Sequence, residues 1–173
     1  VDILADTMNF QLQACNSGDA PAYGVTITDN LASELDETNV SVTDVNLDGA
    51  TTLSGGVDYT YTAPSSRPGV MSFVLDNTPL APTSCVNISY SVGFHTDIAP
   101  NTPAWSNSAT VAEYWSRPTL DPADAREYIN ITPVAAQSIW MVNSYTDEPP
   151  LKAVVTPASN EVTIGEDVTY EIT

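Results

Sequence analysis

Short β-branched and aromatic runs alternate apolar with polar residues along this chain, and its 13 prolines all fall outside them. The runs are FQLQAC (10–15), VTIT (25–28), VSVTDVNL (40–47), VDYTYT (57–62), MSFVL (71–75), VNISYSVGF (86–94) and SATVAEYW (108–115). Between them stand the clusters NSGDAP, LDGA, LSGG, APSSRPG, NTPLAPTS, TDIAPNTP and SRPTLDPAD. A period of two places alternate side chains on opposite faces of a pleated strand, and proline cannot donate to a central ladder. Seven or more short strands at this spacing predict an all-β sandwich. Helix signals are confined to LDPADAREYI (120–129), where Asp121 suits an N-cap and Pro122 the first position, enough for one or two turns.

Composition narrows the setting. The chain has 173 residues, 42% of them hydrophobic, enough for one ordinary core with a second fragment attached. Four Lys+Arg against 22 Asp+Glu give a net charge of −18. Such a surface repels nucleic acid and anionic membranes and suits an extracellular setting. No apolar run reaches the roughly 18–20 residues of a spanning helix, so no direct membrane insertion is expected in this segment. The start VDILADTMNF lacks the features of a signal peptide, and any targeting segment is expected outside it. Sequons at Asn39, Asn87 and Asn130 are candidate glycosylation sites.

The two cysteines, Cys15 and Cys85, fall on the polar phase of their strands, Cys15 with Gln11 and Gln13, Cys85 with Asn87 and Ser89. If the two strands are neighbours, a cross-strand disulfide on the solvated face follows; the alternative is two free thiols on separate strands.

The two ends resemble each other. VDILADTMNFQLQ and VTIGEDVTYEIT align Val1 with Val162, Ile3 with Ile164 and Asp6 with Asp167; one slip later, Phe10 aligns with Tyr170 and Leu12 with Ile172. Agreement of the aspartate and the apolar positions together points to a repeat, about one copy plus the opening of the next. Residues 1–118 are then one sandwich repeat whose opening strand would precede Val1. Residues 119–150 form a strand and turn extension, and 151–173 carry the opening strands of a following repeat. An apolar strand without a partner invites pairing, so 151–173 is a candidate donor strand for another copy.

From NSGDAPAYGVTITDNL (16–31) onward the chain resembles an Ig-like repeat common in bacterial and archaeal surface proteins, the domain of unknown function eleven. LDGATTLSGGVDYTY (47–61), PLAPTSCVNISYSVGF (79–94), WSNSATVAEYWSRP (105–118) and the closing LKAVVTPASNEVTIGEDVTYEIT (151–173) follow in that family's order. The resemblance implies a β-sandwich in stalks, adhesins or envelope layers, with no enzymatic activity. Some fimbrial relatives join a lysine of the opening strand to an asparagine near the module's end in an isopeptide bond assisted by a buried acid. Lys152 and Asn107 match those positions, but in different modules, so the resemblance allows a bond only between modules or copies; the alternative is a surface lysine and a turn asparagine.

Catalytic constellations are wanting in the sequence. His95 is the single histidine, in a strand-end SVGFHTD that reads as exposed, and no serine, zinc or phosphate-loop motif accompanies it. Tyrosines such as Tyr59 and Tyr61, sharing a phase with Val57, read as core rather than as a carbohydrate platform. DVNLDG (44–49) places Asp44, Asn46 and Asp48 at calcium-loop positions 1, 3 and 5 with Gly49 at 6, but position 12 is Gly55 and the flank alternates like a strand. A hairpin turning at Asp48-Gly49 accounts for the stretch better, with calcium the only candidate cofactor. Further acidic groupings, Asp29 with Glu34, Asp36 and Glu37, and Asp121 with Asp124, are candidate calcium sites. The function expected is a structural repeat of an extracellular surface stalk, fibre or filament, its partners further copies of itself or neighbouring repeats joined by strand complementation. The alternative is an adhesin-type module for glycan or another surface ligand, marked by a flat row of threonine or aromatic side chains.

Overall fold

The structure is a computed structural model that describes residues 7–98, 105–129, 137–139, 152–156 and 169–172. Strands β1 (Thr7–Cys15), β7 (Cys85–Phe94), β3 (Leu35–Leu47) and β4 (Thr51–Thr52) form one antiparallel sheet in the order β1-β7-β3-β4. The second sheet runs β10 (Gln137–Ile139), β8 (Trp105–Trp115), β2 (Tyr23–Asn30), β6 (Val70–Val74), β5 (Thr60–Thr62), with β9 (Glu127–Ile129) also on β8. The fold is an all-β, Ig-like antiparallel sandwich, and no helix occurs among the described residues. A second compact group, residues 142–173, contains an antiparallel pair of β11 (Lys152–Thr156) and β12 (Thr169–Ile172) with Lys152 opposite Ile172 and Val154 opposite Tyr170.

Alternation builds the interior. Val25 and Ile27 of β2, Met71 and Phe73 of β6, and Val86, Ile88, Tyr90 and Val92 of β7 all turn inward and are buried. Tyr61 stacks on Phe73 with ring centroids 4.8 Å apart, and Tyr59 lies 6.2 Å from the same ring, so both belong to the core as expected. Val57 does not share it. It sits in the turn before β5 and is 62% exposed, because the chain has not yet entered the strand there.

Cys15 faces Cys85 across the β1–β7 ladder, and the two are bridged. The polar phase of β7 is less wet than expected. Asn87 is buried because β7 lies between β1 and β3: Gln13 Nε2 donates to Asn87 Oδ1 at 2.9 Å, and Asn87 Nδ2 donates to Asn46 Oδ1 at 3.1 Å.

DVNLDG closes the β3–β4 hairpin, with Leu47 opposite Thr51 and left-handed φ values of 53° at Asp48 and 72° at Gly49. Nothing lies within 4 Å of where a Gly49 side chain would begin, so glycine is there for its backbone and not for space. The expected helix shrinks to one turn at Asp121–Ala125, where Asp121 Oδ1 accepts from Ala123 N. The rest of that segment, Glu127–Ile129, pairs with Glu113–Trp115 instead, since joining the β8 ladder satisfies more backbone than a short isolated helix can. Residues 119–150 thus contribute β9 and β10 to the sandwich.

Candidate functional site

β1 pairs with β7 on one side only, and its other edge carries no partner among the described residues. Across the sandwich, among the described residues, β8 pairs with β2 along one edge and on the other with β10 at Trp105–Asn107 and with β9 at Glu113–Trp115. Among the described residues β1 therefore ends its sheet, and together with β8 it lines a gap in the sandwich. Two adjoining hollows of about 350 and 330 Å³ fill the gap and share Ala14 and Val111. Met8, Phe10, Leu12 and Ala14 point into the sandwich from β1, each only partly buried, and Phe10 stacks on Tyr90 at 5.1 Å. An open backbone edge beside half-covered apolar side chains is what an added strand would complete.

A buried polar cluster lies at the wall of that groove. Asp29 of β2 falls on the inward phase of Val25 and Ile27 and is fully buried. Tyr90 Oη donates to Asp29 Oδ2 at 2.6 Å. Asn107 of β8, also buried, directs its Nδ2 to Asp29 Oδ1 at 2.8 Å and to Tyr90 Oη at 3.1 Å. Asn107 Oδ1 is buried with no hydrogen-bond partner, and Asn107 is among the residues lining the larger hollow. Burial pushes the Asp29 carboxyl up to about 6, against the lowering effect of its bonds to Tyr90 and Asn107. Burial and the neighbouring Asp29 charge push the Tyr90 hydroxyl well above its ordinary value. The arrangement sets a carboxyl that is easily protonated against an amide whose carbonyl oxygen lacks a donor. That is a polarisable acyl centre beside a group able to carry its protons.

The remaining expected sites fall elsewhere. In the hairpin, Asp44 Oδ2 accepts from Asn46 Nδ2 at 2.5 Å, Asn46 Oδ1 accepts from Gly49 N, and Asp48 Oδ1 accepts from Cys85 N at 2.6 Å. These three side chains are spent on stabilising the turn and its neighbour strand. Asn39 is exposed, Asn87 is engaged as described, and Asn130 lies outside the described residues. The acidic grouping expected around Asp29 divides. Asp29 belongs to the interior, whereas Asp36 and Glu37 meet His95, whose Nε2 is hydrogen-bonded to Glu37 Oε2 at 2.7 Å and which is half-buried rather than exposed. Lys152 lies in β11, opposite Ile172.

No family model matches the sequence, and no curated protein does either. Among solved structures, the chain is similar to the full-length major pilin SpaD of Corynebacterium diphtheriae, at 22% identity and a TM-score of 0.49 over 72% of this chain and 29% of that one. It is also similar to the pilus backbone RrgB of Streptococcus pneumoniae, at 20% identity and a TM-score of 0.44 over 65% of this chain and 42% of that one. The chain spans less than half the length of either.

Proposed function

We propose that this chain is a structural module of an extracellular stalk or fibre whose β1–β8 groove is closed by a strand from a neighbouring copy or repeat. The observation that carries the reading is the buried, donorless Asn107 Oδ1 at the wall of an open strand-sized groove. The pairing inside residues 142–173 supplies a register for the incoming strand. β12 carries Tyr170 and Ile172, which align with Phe10 and Leu12, and β11 lies antiparallel to it with Lys152 opposite Ile172. The same pairing on β1 sets Lys152 opposite Leu12. Directly opposed residues share a face, so the lysine enters the groove that Leu12 and Asn107 line.

The chemistry there balances without a cofactor. A lysine held in an apolar groove loses its proton readily. Its Nζ attacks Asn107 Cγ, protonated Asp29 gives its proton to the amide, and the Cγ–Nδ2 bond breaks as the new C–N bond forms. Asp29 recovers a proton from Nζ, and ammonia leaves. Incubation at high protein concentration is expected to yield a two-chain species lighter by one ammonia in denaturing intact-mass spectrometry. Lys152→Ala and Asn107→Ala should each abolish it. Non-covalent association without ammonia loss would keep strand complementation and remove the bond. Monomers by sedimentation, together with no binding of a peptide spanning 151–157, would remove both.

One observation favours the adhesin alternative. The registers place Thr62, Ser72, Thr28 and Thr110 side by side across β5, β6, β2 and β8, a hydroxyl-rich row on the outer face of the second sheet. Saturable retention on a glycan array, lost when Thr28 and Thr62 become lysine, would move the reading there.

A further inference from the structure

We propose that Asp36, Glu37 and His95 form a binding site for a divalent transition-metal ion of the zinc class. Asp36 and Glu37 are consecutive, and on a regular strand their side chains would leave opposite faces. β3 is interrupted here: Asp36 pairs with Gly93 and Val40 with Val92, so Glu37, Thr38 and Asn39 bulge out of the ladder. The bulge re-aims the two carboxylates so that both meet the imidazole at the end of β7. One ligand atom from each of the three residues lies within 4.8 Å of the others, close enough for a single ion to replace the proton shared by His95 Nε2 and Glu37 Oε2.

The ligands are held before any ion arrives. Asp36 Oδ1 accepts from Thr38 N at 2.9 Å and Thr38 Oγ1 at 2.6 Å. His95 N donates to Glu34 O at 3.0 Å, which fixes the backbone that carries the ring. Glu37 packs so closely on Gly69 that a side-chain carbon there would stand 2.9 Å from Glu37 Cβ. Gly93 likewise makes room for the bulge, since a carbon on it would meet Asn39 Nδ2 at 2.5 Å.

Charge favours a cation. The carboxylates of Glu34, Asp36, Glu37 and Asp97 gather at this corner. Against them stands Arg67, whose guanidinium is engaged with Asp97 at 2.8 and 2.9 Å and with Ser33 O. One imidazole nitrogen and two carboxylate oxygens form a mixed donor set that suits zinc and its first-row neighbours, with a coordination position left for water. Calcium and magnesium prefer all-oxygen sites.

His95 is the chain's single histidine, so its imidazole resonances report the site without assignment. Zinc titrated into the 173-residue chain at physiological salt is expected to shift those resonances saturably at one equivalent. Glu37→Gln and Asp36→Asn, which keep the side-chain shape, should each weaken the affinity about ten-fold or more, with folding checked by circular dichroism. Calcium at the same concentration should leave the imidazole unmoved. An imidazole that zinc does not shift overturns the proposal. So does an affinity unchanged in both carboxamide variants, which would place the metal on the acidic surface at large.

Discussion

Replacing Asp29 by asparagine removes the one carboxyl that is fully buried among the described residues, and the structure sets the size and sign of the effect. Burial raises its folded value to about 6 from the ordinary 3.8. A carboxyl with a raised folded value binds more protons in the native than in the unfolded chain between those two pH values. Its contribution to stability is therefore fully present below pH 3.8, declines as pH rises through that window, and is gone above about pH 6. The gap converts to about 3 kcal/mol. Asparagine keeps the shape and still accepts from Tyr90 Oη, but its amide meets Asn107 Nδ2 donor to donor, a mismatch of about 1 kcal/mol. Asp29→Asn is expected to be about 0.5 kcal/mol less stable than the parent at pH 4 and about 2 kcal/mol more stable at pH 7. Urea unfolding of both proteins from pH 4 to 7.5 measures this, because the surface carboxylates cancel in the difference. A difference independent of pH would refute the argument, for Asp29 would then ionise as though in water.

Two further perturbations test the frame. Replacing Cys15 and Cys85 by serine opens a loop with a sequence separation of 70 residues, and chain entropy alone puts the loss at about 4 kcal/mol, read as a lower denaturation midpoint. Gly69→Ala drives a carbon to within 2.7 Å of Pro64 Cβ and 2.9 Å of Glu37 Cβ; neither neighbour is a flexible tip, so about 1–3 kcal/mol of destabilisation should follow, visible in the same melts.

Much of the frame was legible because a period of two is a strong signal where both faces are settled by burial. The phases of Val86, Ile88, Tyr90 and Val92 and of the two cysteines follow from it, whereas the cysteine pairing depended on which strands are neighbours. The same alternation carried a signal that went unused. Asp29 shares the phase of Val25 and Ile27, and a charged residue on an inward phase marks a buried polar site. Grouped with Glu34, Asp36 and Glu37 it reads as a calcium ligand instead. The Glu37–His95 pair could not be read in this way. It joins residues 58 apart through a bulge, and a bulge breaks the periodicity on which such reading depends. The strand at Glu127–Ile129 was missed because local capping signals at Asp121 and Pro122 say nothing about an open β8 edge nearby.

The bridge between Cys15 and Cys85 also has a mechanical meaning. It ties the end of β1 to the start of β7 and encloses β2 through β6 between its two sulfurs. A force applied along the chain passes from β1 to β7 through that covalent link and bypasses everything enclosed. The 70 residues of separation, about 240 Å if drawn straight, cannot pay out under load while the bridge stands. Tension then acts on β8, β9 and β10 beyond the bridge, while the enclosed strands β2, β5 and β6 of the second sheet stay shielded from it. Reduction of one bond would turn a nearly inextensible link into a long tether.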